Sequence, residues 1–273
     1  MKYRILVFPL YRAWFDPQMH LVAEVVPFIH QLLEGLVFLH NANIAHGDIK
    51  ALSILMDPCS MYPDGFNPLV IGKAIRDYPL QDPEPMRTRL DAKPRYVYID
   101  FGFSLMLEGI EGRRQVPYTG AGTYRPPETM FAPGVDGVRQ DSLGQHYDPF
   151  SADVWLLGKL FRDLDFGDAI APIQPLLATM CLKDATSRPT AQQSFDEFCR
   201  IVNTLSWGLL ARVPNPMVTI YMNPDTRAGC FMGPAGVEDA RDYLRRIIEF
   251  LVLSDCVPRI SFGCVDYGRD SSD

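Results

Sequence analysis

The feature that most constrains this chain is the change of pattern between Val22 and Asp57. Val25, Phe28, Ile29, Leu32, Leu36 and Leu39 recur at three- and four-residue steps, the spacing of one long amphipathic helix. A short polar run then carries His46, Asp48 and Lys50, and a second apolar run, Ser53 to Met56, reads as a strand. The polar loop is thus delivered by one buried element and left by another. An Asp on such a loop is held rigidly enough to serve as a general base.

A second acidic loop lies downstream. Tyr96-Val97-Tyr98-Ile99 is a β-branched and aromatic strand that ends in Asp100-Phe101-Gly102. Two such carboxylates suit a metal–phosphate site, one binding Mg²⁺ while the other takes a proton from an attacking hydroxyl.

With these residues in view, the sequence resembles the eukaryotic protein kinases. His46-Gly47-Asp48-Ile49-Lys50 is similar to their catalytic loop, and Asp100-Phe101-Gly102 to their metal-binding triplet. Pro126-Pro127-Glu128 resembles their Ala-Pro-Glu, and Asp153-Val154-Trp155 with Gly158 their buried central helix. Arg188-Pro189 resembles the Arg that pairs with the Ala-Pro-Glu carboxylate. The five motifs keep the family's order over Tyr3 to Val202. The fold class this implies is α+β, a mainly helical kinase-like C-lobe with a few short strands. Residues 1–206 would form that domain, with an insertion at 61–94. Residues 207–273 would form an extension with one amphipathic helix near Val237 to Leu253.

The resemblance also implies roles. Asp48 would accept the substrate hydroxyl's proton, Lys50 would reach the transferred phosphate, and Asp100 would hold Mg²⁺. Ser53 stands where the family has Asn as second metal ligand, so it is the candidate there and a weaker one. His46 would pack beneath Phe101, and Gly102 would complete the triplet. Glu128 and Arg188 would form a buried ion pair, and Asp153 would accept hydrogen bonds from the catalytic-loop backbone. Gly47 replaces the Arg that pairs with a phosphorylated activation segment. A Lys at position 50 resembles the serine/threonine branch.

The remaining elements follow from local pattern. Arg4 to Leu10 reads as a strand ended by Pro9, where the family has the last strand of its N-lobe. The glycine-rich loop, strand Lys and partner Glu that precede this strand in the family are expected to be missing. Gly120, Gly122, Gly134 and Gly137 do not replace them. Met61 to Pro94 is polar and proline-rich, a surface insertion. Phe103 to Tyr124 fits an activation segment, with Tyr118, Thr119 and Thr123 as its hydroxyls. Ser151 is the expected N-cap of a helix through Leu164. Helices over Ile170–Leu182 and Ala191–Leu205 follow, around a turn at Asp184 to Thr190.

Composition narrows the function class. Hydrophobic residues make up 47% and charged ones 22%, with a net charge of −7. This globular balance disfavours nucleic acid and an anionic membrane as partners. The six Cys form no C-x-x-C, which suits free thiols in a reducing compartment. No apolar run reads as a bilayer span. Cytoplasm or nucleus is the expected location, with a protein substrate or protein partner. The expected function is ATP-dependent phosphoryl transfer to Ser or Thr, impaired in this chain, with Mg-ATP binding weak or absent. The alternatives are a catalytically inactive kinase-like interaction module and a truncated gene model of an active kinase. Without the family's phosphate-covering lobe, an apolar patch is expected near Leu6, Phe8, Ile54 and Phe101.

Overall fold

The computed structural model describes residues 7–66, 86–107, 116–117, 124–130, 146–164 and 166–214, all within one unit, Met1–Ala235. The expected helix at Val237 to Leu253, most of the insertion, and Tyr118, Thr119 and Thr123 lie outside the described residues. The architecture is α+β, mainly helical with short antiparallel strands.

Helix α1, Val22–Asn41, is the stripe read from the sequence, and its apolar positions are buried. Its first turn is closed by Glu24, whose Oε2 accepts the backbone N–H groups of His20 (2.6 Å) and Leu21 (3.3 Å). These are donors that a helix start otherwise leaves unmet, and the carboxylate complements the helix dipole. By length and composition this helix is apolar enough to cross a bilayer, with a mean hydropathy of 1.6 over 18 residues. The sequence reading had excluded any such run. Here the apolar surface is instead covered by other elements of the chain. Phe28 stacks on Trp14 with ring centroids 4.5 Å apart and meets Tyr96 edge-on at 5.0 Å.

Strand β1, Arg12–Ala13, pairs with β3, Ile54–Met56, which pairs with β4, Tyr96–Tyr98, in a three-stranded antiparallel sheet. The register sets Met56 against both Arg12 and Tyr96. Between these strands in sequence, β2, Ile44–Ala45, pairs with β5, Leu105–Met106. Of the strand expected at Arg4 to Leu10, only residues 7–10 are described, and they form no strand. Residues 7–10 are unpaired and exposed, and pairing begins only at Arg12. Pro9 lacks the N–H a ladder needs. Phe8 and Phe101 are exposed as expected, but Ile54 is buried inside the sheet, and Leu6 lies outside the described residues.

The insertion is not wholly a surface feature. Met61 and Tyr62 are buried, and the short helix α2, Arg89–Ala92, carries a buried arginine. Gln31 of α1 holds the strand that follows, accepting Tyr96 N–H at 3.0 Å and donating to the Pro94 carbonyl at 3.1 Å.

Helix α3, Pro149–Asp163, is apolar on nearly every face and is buried accordingly. Its N-cap is Asp148, not Ser151: the Asp148 carboxylate accepts Phe150 and Ser151 N–H at 2.9 and 3.3 Å. Pro149 then occupies the first helical position, where a missing N–H is harmless. Gly158 lets α4, Gln174–Met180, approach closely. A Cβ there would lie 2.8 Å from Met180 Cβ and 3.1 Å from Cys181 Sγ. The prolines at 172 and 175 confine the segment before α4 to a 3₁₀ turn, Gly167–Ile173. Helix α5, Ala191–Val202, lies on α1, capped by Thr190, which accepts Gln193 N–H. The chain then turns through α6, Trp207–Leu210, so that the Arg212 carbonyl accepts Val22 N–H at 2.9 Å.

On the face shared by α1 and α5, His30 meets Phe195 edge-on at 5.0 Å. Burial lowers its pKa below the ordinary 6.5, partly offset by Glu34. A folded pKa below the unfolded one means that acid favours the unfolded chain, which takes up the proton more readily. The stabilising margin is therefore full above about pH 6.5 and falls as the pH drops towards the folded value. His30→Gln should lose less of its denaturant midpoint than the parent between about pH 7 and about pH 5, read by urea titration at each pH.

Candidate active site

The polar loop begins where β2 ends. Its backbone is suspended from Asp153 of α3, a carboxylate with no exposed surface. Asp153 Oδ2 accepts His46 N–H at 2.7 Å and His40 Nε2 at 3.2 Å, while Oδ1 accepts Gly47 N–H at 2.9 Å. A buried carboxylate is tolerable only when its oxygens are met by donors, and these three donors meet it.

His46 is fully buried and links the two acidic loops. Its Nδ1 accepts Asp48 N–H at 3.3 Å, which places the ring proton on Nε2 for the Ile99 carbonyl at 3.0 Å. The ring lies 4.9 Å from that of Phe101 and 5.5 Å from that of Tyr98. Tyr98 donates to the Leu32 carbonyl, and burial raises its phenol pKa well above the ordinary range. Ser104 adds a bond from its hydroxyl to the His46 carbonyl at 2.9 Å.

Gly47 sits at φ +80°, the left-handed region, and a Cβ there would lie 2.6 Å from the Phe103 carbonyl oxygen. No larger residue fits without moving the loop after Asp100. Gly102, within the 3₁₀ turn Phe101–Phe103, faces Asp100 Oδ1 at 3.5 Å from its own would-be Cβ.

The chemistry-bearing side chains converge. Asp48 is buried, and its Oδ2 is bonded to the ammonium of Lys50. The same ammonium lies 3.9 Å from Asp100 Oδ2. Asp100 is different in kind: about half its side chain is exposed, at a backbone φ of +65° that Asp tolerates better than most residues. One cation therefore stands between a buried carboxylate and an open one.

Ser53 is placed otherwise. It is fully buried, and its Oγ accepts Lys50 N–H and donates to the Lys50 carbonyl, both at 2.8 Å. These bonds close the 3₁₀ turn Ala51–Ser53 and leave the hydroxyl one lone pair. Among the described residues no group of three or more His, Cys, Asp or Glu could enclose a metal.

Glu128 and Arg188 meet in a two-pronged pair, 2.7 and 2.6 Å. The guanidinium also reaches the carbonyls of Leu182 at 2.8 Å and Ser151 at 3.1 Å. This fixes the 3₁₀ turn Pro127–Thr129 against the start of α3.

Two contributors were not singled out from the sequence. Trp14 is buried and donates its Nε1–H to the Ala51 carbonyl at 2.9 Å. Arg89 donates to the Trp14 carbonyl at 2.8 Å. Trp14 stands in a short aromatic stretch and Arg89 between Arg87 and Arg95 in a polar, proline-punctuated one, and neither pattern marks the residue as buried.

No family model matches the chain, and no curated protein matches it either.

Removing the Asp153 carboxylate leaves two loop N–H groups buried without acceptors, at about 1–3 kcal/mol each. Asp153→Ala should therefore lower unfolding free energy by about 3–5 kcal/mol, and Asp153→Asn, which keeps one acceptor, by less. Chemical denaturation followed by far-UV circular dichroism measures both. Glu128→Ala strands the buried guanidinium of Arg188, at about 3–5 kcal/mol. The same titration should show the double variant Glu128→Ala/Arg188→Met recovering part of that loss.

Proposed function

We propose that residues 1–206 form a protein-kinase-like phosphotransfer lobe in which transfer to Ser or Thr of a protein substrate is impaired. One observation carries this reading: the Lys50 ammonium lies between the carboxylates of Asp48 and Asp100. A buried, oriented carboxylate can take the proton of an attacking hydroxyl, and an adjacent ammonium can neutralise charge on a transferred phosphoryl group. The motif order around it adds the support of family resemblance.

The residues fit a nucleotide-bound Mg²⁺ only in part. Mg²⁺ is commonly held by one or two carboxylates plus substrate phosphates and water, and Asp100 supplies one open carboxylate. Such an ion would supply charge neutralisation on the phosphates. Ser53 does not fit as a second ligand, because its hydroxyl is committed to the Lys50 backbone. Gly47 cannot be exchanged for a basic residue while Phe103 keeps its place. The impairment rests on these two positions.

A second reading is an inactive protein-interaction module. Leu52, Phe101, Phe103 and Met106 are exposed on and after the loop turns, and the ammonium of Lys50 already counters both carboxylates.

The test is a thermal-shift titration with Mg-ATP beside a radiolabel transfer assay, with Asp48→Asn as the blank. The expected result is a small Mg-ATP-dependent rise in Tm that Asp100→Asn abolishes, with transfer not above the blank. Strong transfer that vanishes in Asp48→Asn would show an active kinase. No thermal response at any nucleotide concentration favours the interaction module.

A further inference from the structure

Arg89 is the least expected buried group in the described chain. It stands in the proline-rich stretch between β3 and β4, yet its side chain is almost wholly buried, and no carboxylate pairs with it among the described residues. Its Nη1 donates to Tyr96 Oη at 2.6 Å and approaches Met56 Sδ at 3.0 Å. Its Nη2 donates to the carbonyls of Trp14, at 2.8 Å, and Pro17. Its Nε has no partner. A buried cation with no directly paired carboxylate among the described residues and an unmet donor is expensive. An apolar residue would fill the same space without that penalty, so what the guanidinium joins matters more than its burial.

What it joins is the loop scaffold. Met56 and Tyr96 face each other across β3 and β4, so Arg89 grips the end of that pair and ties it to the Trp14 backbone. The Trp14 ring, stacked on Phe28, reaches the other way and donates to the Ala51 carbonyl. Ala51 opens the turn that Ser53 closes on the Lys50 backbone. The Lys50 ammonium then meets Asp48 and Asp100. Every step as far as Asp48 is a hydrogen bond, an adjacent peptide or one residue's own side chain, and the last, to Asp100, is an ion pair at 3.9 Å.

We propose that Arg89 is a positioning residue for Lys50, acting through Trp14 and the 51–53 turn, so that the arm 86–96 sets how tightly the ammonium is held between its carboxylates. The proposal concerns the placement of one amine and is independent of whether the chain transfers phosphate. An activity failure and a positioning failure therefore read out separately.

The test is limited acetylation of the full chain with mass-spectrometric readout. Lys159, paired with Asp163 on α3, is the internal control. In Arg89→Met the ratio of Lys50 to Lys159 acetylation should rise severalfold, and Trp14 indole N–H exchange should quicken while that of Trp155 does not. Arg89→Lys, which returns a donor to the Trp14 and Pro17 carbonyls, should restore part of both. Trp14→Phe leaves Arg89 in place but removes the bond to Ala51, and should raise the same ratio. Combined with Arg89→Met it should add nothing further, since both act on one link. An unchanged ratio in folded Arg89→Met, equal rises at both lysines, or additive effects would overturn the proposal. If Arg89→Met does not fold, Trp14→Phe decides, and an unchanged ratio there overturns it.

Discussion

The carboxylate of Asp153 is the contact on which the rest of this lobe depends. It sits on a helix buried on nearly every face, where an unmet charge would be untenable. The polar loop supplies two of its donors and His40 of α1 the third, while the Ser104 hydroxyl holds the His46 carbonyl from the other side. Two N–H groups from adjacent residues, His46 and Gly47, fork onto the two oxygens. Such a fork fixes direction as well as distance, so Asp48 and Lys50 leave the loop at a set angle. The left-handed turn at Gly47 follows from the same constraint. The chain must bend to present both N–H groups, and Phe103 occupies the space a side chain would need.

From that anchor the two acidic loops are joined by a ring rather than by a charge. His46 accepts from one loop and donates to the other, with Tyr98 and Phe101 against its faces. With Nδ1 accepting the Asp48 N–H, Nε2 is left to donate to the Ile99 carbonyl. The charges that join the two loops are those of Lys50 and its two carboxylates. The buried Asp48 is fixed by that contact. Asp100, half exposed, gains little from a 3.9 Å pair screened by water. An incoming cation would therefore compete for Asp100 before Asp48.

Much of this was legible in the sequence because it is local or periodic. The stripe of α1 and the apolar α3 follow from side-chain spacing, and the packing of His46 under Phe101 and the Glu128–Arg188 pair followed from motif order. Cap identity was misassigned at α3, since Asp148 and Ser151 are both good caps and only the adjacent Pro149 separates them. Residues 7–10 of the expected first strand stay unpaired because a strand needs a partner, and, among the described residues, that edge of β3 is met by Arg12 and Ala13 instead. Trp14 and Arg89 were missed for a different reason. Their bonds span 37 and 75 residues, and nothing in a polar, proline-punctuated stretch marks one arginine as the buried one.

Ser53 shows why a residue's chemistry does not decide its role. A hydroxyl there could ligate a cation or close a turn, and the same oxygen cannot do both freely. Its position three residues after Lys50 allows one oxygen to accept the N–H and donate to the carbonyl of a single residue. Full burial removes the competition of water for those bonds, so turning the oxygen outward would leave the Lys50 N–H without its acceptor, while the Lys50 carbonyl keeps the Ser53 N–H at 3.0 Å. A longer amide at this position could cap the turn with one atom and still extend the other. The serine keeps the loop's shape and gives up the reach, which leaves Asp100 as the one open carboxylate of the pair held by Lys50.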